Sequence, residues 1–244
     1  MQKFKFINSN ILKVFAMICM VLDHMWATII PGNQWMNNVG RLAFPIFAFL
    51  IVEGFIHTSD FKKYIKRLFI FAVISEIPFN LMSSSSIIFP FHQNTIFTLL
   101  LGLLCISEID KIKTKKDLKT IILGTLKIIL FLLLGVFGLV DYGLTGILTI
   151  IVFYVFRNIK LSWLWQLISL VCLYIVFFGG RSIIVNILGT DCFIPIQGLA
   201  VLSLIPIWLY NGKRGKNNKL LQYTYYLFYP VHMLCLYLIY YFIL

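Results

Sequence analysis

Charge is what this sequence has least of. Only 12% of its 244 residues are charged, and no more than nine are acidic. A water-soluble domain carries about 25% charged residues, so that class is excluded. No polar stretch is long enough for a separate soluble module, and a single domain, 1–244, is expected. Cysteine is present but unpatterned. Cys19, Cys105, Cys172, Cys192 and Cys235 form no C-x-x-C pair and no Cys/His spacing of the metal-binding kind. They read as small apolar fillers of helix interiors, and no metal site is expected. A serine nucleophile elbow, a P-loop and a zinc signature are all missing. No internal or inverted repeat is visible, which weakens a secondary-transporter reading. Residues 1–30 have a basic start and an apolar core, but Asp23-His24 interrupts that core and no small-x-small cleavage pattern follows. The first helix is expected to be retained rather than removed as a signal.

What is there is overwhelmingly apolar: 60% of the residues are hydrophobic. A spanning helix needs about 20 apolar residues. That rule predicts helices near 11–30, 41–58, 64–82, 94–109, 119–138, 142–157, 161–179, 195–210 and 222–243. The fold class expected is all-α, a polytopic integral membrane helical bundle of about nine transmembrane helices. The count becomes eight to ten if residues 181–194 form a short re-entrant or interfacial piece.

The net charge of +12 raises the question of nucleic acid, and its placement answers it. The basic residues recur in short clusters between apolar segments, the pattern of membrane orientation. Lys3, Lys5 and Lys13 form the first cluster, and Lys62, Lys63, Lys66 and Arg67 the second. Lys111, Lys113, Lys115, Lys116 and Lys119 follow, then Arg157 with Lys160, then Lys213, Arg214, Lys216 and Lys219. An internal N-terminus puts these 18 of the 21 basic residues inside. Arg41 and Arg181 fall outside, and Lys127 falls within a span. No nucleic-acid partner is expected; the lipid bilayer is.

Against this background the polar residues inside spans are functional suspects, because a charge in hydrocarbon costs roughly 2.5–3.5 kcal/mol on insertion scales. Lys13 and His24 are eleven steps apart on one predicted helix. That spacing returns to within roughly 20° of the same face and places them about 16 Å apart along the axis. An extended pantetheine arm has about that length. A cation for phosphate at one end and a base at the other would fit CoA-dependent acyl transfer. A snorkelling lysine and a hydrogen-bonded interfacial histidine fit the same spacing. Asp23 lies about 100° around the helix from His24, so it is expected to pair with another helix, with Arg41 the obvious partner; whether it also orients His24 stays open. Glu53 and His57 form an i, i+4 pair, either a gating element or plain local structure. Lys63, Lys66 and Arg67, with Lys213 and Arg214 in the turn Asn211–Gly215, are candidates for CoA phosphates or, equally, orientation signals. Asp141 and Tyr142 at an outer turn, and Tyr229 and His232 on the last helix, are candidate cavity walls or ordinary interhelical contacts.

Several stretches also resemble a known family. They are Met20–His24, Gly40–Gly54, Tyr64–Leu68, Ile77–Phe79, Asn94–Leu99, Asp141–Gly143, Tyr210–Gly215 and Phe228–His232. In order and nearly end to end, they are similar to the TraX family, which looks like a compact branch of the membrane acyltransferases that include sugar O-acetylases. The wider group's pattern of a basic residue, ten residues and a histidine is similar to Lys13 through His24. The resemblance implies His24 as general base. The group's Arg-x-x-Arg resembles Lys63-x-x-Lys66 only loosely, since lysine lacks the bidentate fork. The family's named member is implied to acetylate the N-terminus of conjugative pilin.

The function expected is therefore a multi-pass enzyme of the cytoplasmic membrane of a bacterium. It would move acetyl from cytoplasmic acetyl-CoA to an amine or hydroxyl of an extracytoplasmic peptide, protein or glycan. A proton-coupled transporter and a non-catalytic membrane assembly factor are the alternatives.

Overall fold

The computed structural model of the chain describes residues 5–178, 180, 182–187, 189–216 and 218–243. Lys3 and Arg181, counted above for orientation, lie outside the described residues. Helices dominate: α1 Ser9–Thr28, α2 Gln34–Gly40, α3 Ala43–His57, α4 Phe61–Ser84 and α5 Thr95–Lys115, then α6 Leu118–Phe137, α7 Gly143–Val155, α8 Ser162–Val171, α9 Leu204–Trp208 and α10 Lys219–Phe242. A π-helical stretch, Cys172–Phe177, prolongs α8, and a 3₁₀ stretch, Ile196–Ser203, leads into α9.

Polar caps decide where many helices begin. Asn8, Asp60, Asn94, Asp117 and Asn218 each accept a hydrogen bond from a first-turn backbone N–H of α1, α4, α5, α6 and α10. Such caps satisfy donors that the helix itself leaves open. At their other ends α4 and α5 run past their apolar stretches to Ser84 and Lys115, where Ser85 and Lys116 turn left-handed and donate their N–H groups to the Leu81 and Ile112 carbonyls.

Two details differ from the expectation. The segment predicted as one helix from residue 41 is preceded by the short α2, with a break at Arg41-Leu42 before α3. Residues 181–194, expected as a re-entrant or interfacial piece of an all-α bundle, form an antiparallel hairpin over their described residues: β1 Ser182–Ile187 pairs with β2 Thr190–Pro195, Ser182 opposite Pro195 and Ile187 opposite Thr190. Six residues a strand are too few to span, and the hairpin's side chains at Ile184 and Phe193 are exposed.

α3 is the central rod. It packs against α1, α5, α7, α9 and the 3₁₀ stretch. Its Ile46, Ala48 and Val52 are fully enclosed, as are Leu12 of α1, Leu103 of α5 and Ile150 of α7. α10 lies against both α1 and α4. Among the described residues, three helical segments are long and apolar enough to cross a membrane: Ser9–Thr28, Gln34–His57 and Leu118–Phe137. α6 is apolar yet exposed, with Ile122, Leu126, Ile129, Leu130, Leu133 and Val136 all facing out. An apolar helix with so little protein around it is a membrane helix, and the chain is a membrane protein. Lys127, within that helix, reaches Glu108 of α5 at 3.7 Å, which gives the charge a partner.

Candidate functional site

α1 supplies the axis of the site. Lys13 and Met17 line a long cavity of about 420 Å³; Asp23 and His24 line a smaller one of about 260 Å³. Met20, Phe47 and Thr95 line both, so these three side chains stand where the two cavities adjoin. The helical repeat that puts Lys13 and His24 on one face thus sets each against one of two adjoining cavities.

The long cavity has a basic end. Lys13, Arg67 and Arg214 line it together with Ser9, at the first turn of α1, and Gly212. Lys13 Nζ sits 5.1 Å above the Tyr225 ring. The turn carrying Arg214 is tied to α1: the Ser9 N–H donates to the Lys213 carbonyl at 2.9 Å, and Asn10 Nδ2 to the Lys216 carbonyl at 2.6 Å. Further along, Glu53 and His57 line the same cavity. Glu53 is buried and its Oε1 meets Arg157 Nη2 at 3.0 Å. His57 Nδ1 donates to the Glu53 carbonyl at 2.9 Å, the local i, i+4 contact. Elsewhere the wall is mostly apolar.

The small cavity is polar. The Arg41 guanidinium donates to Asp23 Oδ1, and Asn37 Nδ2 donates to the same oxygen at 2.8 Å. Asp23 therefore pairs across helices with Arg41, and its hydrogen bonds go to Arg41 and Asn37 rather than to His24. His24 Nδ1 instead lies 2.8 Å from Nε2 of His232 on α10. His232 Nδ1 donates to the Phe228 carbonyl at 2.8 Å.

On the other wall, Asp141 is held by three groups. Thr95 Oγ1 donates to its Oδ2 at 2.5 Å, the Tyr142 N–H to its Oδ1 at 3.0 Å, and Thr98 Oγ1 to its carbonyl. His92 Nε2 stands 3.7 Å from Oδ1. Burial opposes the charge on Asp141, but the contacts from His92 and Thr95 outweigh it and hold the carboxyl below its ordinary value. The same carboxylate raises His92 above 6.5. Tyr142, in a left-handed turn at φ 61°, stacks on Phe44 with ring centroids 3.9 Å apart.

The residues singled out from sequence divide clearly. Lys13, Arg67, Arg214, Glu53, His57 and Tyr229 line the long cavity; Asp23, His24, Arg41, Asp141 and Tyr142 line the small one. His232 lies behind His24. Lys63, Lys66, Lys213 and Asn211 line neither. Lys63 is exposed and 3.7 Å from Asp60, and Lys66 is exposed. Asn211 accepts from the Lys213 N–H at 2.9 Å and so shapes the turn. Neither charge nor motif in the sequence singles out Asn37, Thr95, Arg157 or Gln197 as site residues. Asn37 and Thr95 carry no charge to draw attention, Arg157 was absorbed into the orientation pattern, and Gln197 is a single amide in an apolar run that lines the small cavity.

A family model described as TraX protein matches residues 8–240. A probable fimbrial assembly protein FimC, serogroup H1, from Dichelobacter nodosus is 30% identical over 236 residues, covering 91% of each chain. No solved structure matches.

Proposed function

The chain belongs to the TraX family, and from that premise we propose that it is an acyl-CoA-dependent acetyltransferase of the bacterial cytoplasmic membrane. In this reading 1–244 is one domain of about nine spans with its N-terminus inside. The observation that carries the proposal is the pair of adjoining cavities along α1, one lined by the cations Lys13, Arg67 and Arg214 and the other by the His24 imidazole, with Met20, Phe47 and Thr95 common to both.

Lys13, Arg67 and Arg214 would hold the phosphates of acetyl-CoA, with the apolar wall taking the pantetheine arm. His24 would take the proton of the acceptor's amine or hydroxyl as that group attacks the thioester carbonyl. A new C–N or C–O bond forms, the C–S bond breaks, and His24 returns the proton to the departing sulfur. Positioning and one base together supply many orders of magnitude in rate. The Asp23–Arg41 pair and Asp141 set the local field.

The acceptor would be an extracytoplasmic amine or hydroxyl. The relative's name, with the pilin acetylation implied for the family, favours a pilus or fimbrial subunit over a glycan. The same name also supports a second reading, a non-catalytic assembly factor. One experiment separates them: labelled acetyl-CoA given to purified protein with membranes from a strain lacking it. Acetyl transfer that falls at least about a hundredfold in His24→Ala supports the enzyme. Stoichiometric binding of a subunit with no label transferred supports the assembly factor.

A further inference from the structure

The two histidines carry a direction that the distances alone do not state. A carbonyl oxygen only accepts, so the 2.8 Å bond to Phe228 requires the hydrogen on His232 Nδ1. A neutral imidazole has one N–H, which leaves His232 Nε2 as a lone pair. The bond at that nitrogen, 2.8 Å from His24 Nδ1, must then be donated by His24. His24 Nε2 is left bare. A doubly protonated His232 would reverse the order, but His232 is only 8% exposed and makes no ion pair among the described residues.

The ring geometry agrees. The planes are within 7° of parallel and the centroids are 5.0 Å apart. That separation is close to the N···N distance plus two ring radii, so the rings meet edge to edge, as an in-plane hydrogen bond needs. Phe228 lies over His232 at 4.9 Å and Tyr229 against its edge at 5.8 Å, which limits rotation of the ring. His24 borders the small cavity, whereas His232 does not.

We propose that His232 is a positioning residue: through Nε2 it fixes the tautomer of His24, so that the nitrogen left free for the reaction is a lone pair, ready to take a proton. The proposal rests on the acetyltransferase reading. It adds that the acceptor must enter still carrying the proton it gives up. When His24 takes that proton, its charge is shared with His232 through the same bond until the sulfur receives it.

The test uses full-length protein in nanodiscs with ¹⁵N-labelled histidine, as wild type, His232→Leu and His232→Gln. Glutamine offers an oxygen near the place of Nε2; leucine offers nothing. Solid-state ¹⁵N spectra report which ring nitrogen of His24 holds hydrogen, and the His24→Gln protein assigns the signal. The expected result is hydrogen on His24 Nδ1 in wild type and His232→Gln, and a shift toward Nε2 in His232→Leu. In the label-transfer assay His232→Leu should lose at least about tenfold in kcat with KM for acetyl-CoA nearly unchanged, and His232→Gln should recover most of it. Hydrogen on His24 Nε2 in wild type, or a leucine variant with unaltered tautomer and kcat, overturns the proposal. If the leucine variant fails to fold, the wild-type and glutamine spectra decide alone. If wild type transfers no acetyl, the enzyme reading falls, while the spectra still report the tautomer.

Discussion

Lys13 and His24 stand on one face of α1, about 16 Å apart along its axis, and border two adjoining cavities that share Met20, Phe47 and Thr95 as lining. In the proposed reaction the thioester passes these three side chains to reach His24, which makes them a gate. Met20→Trp should obstruct it, because Met20 borders both chambers. Acetyl transfer should fall at least about tenfold, while CoA binding at the Lys13 end, read by calorimetry, should survive. Undiminished transfer in Met20→Trp would mean that the thioester does not reach His24 past Met20.

Asp23 and Arg41 stitch α1 to the break between α2 and α3, with both side chains mostly enclosed. Removing one member leaves the other charge uncompensated. Arg41→Ala should destabilise the protein by about 3–5 kcal/mol, and Asp23→Asn with Arg41→Gln should recover part of that. Thermal unfolding in detergent measures both. An unchanged melting temperature in Arg41→Ala would show that the pair does not bind these helices.

Gly40 lies directly against Asp23. A Cβ built there would run into the Asp23 side chain. Gly40→Ala should cost about 1–3 kcal/mol as overpacking and should reduce transfer by displacing the carboxylate. The combined melt and label-transfer assay checks it; wild-type values in both would contradict the packing.

His92 and Asp141 make the outer wall sensitive to pH. The carboxylate raises His92 above 6.5, and Asp141 keeps its charge through that range because its own value is held low. The stabilisation from a raised histidine is complete below pH 6.5 and is lost as pH rises through the raised value. Melting temperature should therefore decline across that window in wild type and stay flatter in His92→Gln. Parallel curves would remove the pair from the account.

Much of this arrangement was legible in the sequence for a physical reason. Helical periodicity fixes the face on which residues stand, so Lys13 and His24 each border one of two adjoining cavities along α1, and the 100° step between neighbours separates Asp23 from His24 and sends it to Arg41. Element boundaries near 64–82 and 94–109 come out short, because Asp60 caps α4 at Phe61, three residues before the expected start, and polar final turns continue both helices, to Ser84 and Lys115. The hairpin at Ser182–Pro195 was not legible, since a short apolar run has no period that separates strand from helix. Nor was the bond between His24 and His232, because contacts between helices 208 residues apart leave no local trace. In the second cluster charge alone does not say which side chain meets the cavity: Lys63 and Lys66 are exposed, and Arg67 is the member of that cluster that lines the wall.

The most direct measurement is an experimental structure of the protein with bound acetyl-CoA. The account predicts phosphates against Lys13 and Arg214, the arm passing Met20, Phe47 and Thr95, and the thioester beside His24 Nε2. Acetyl-CoA held elsewhere, or a thioester shut off from His24 at those three side chains, would contradict it.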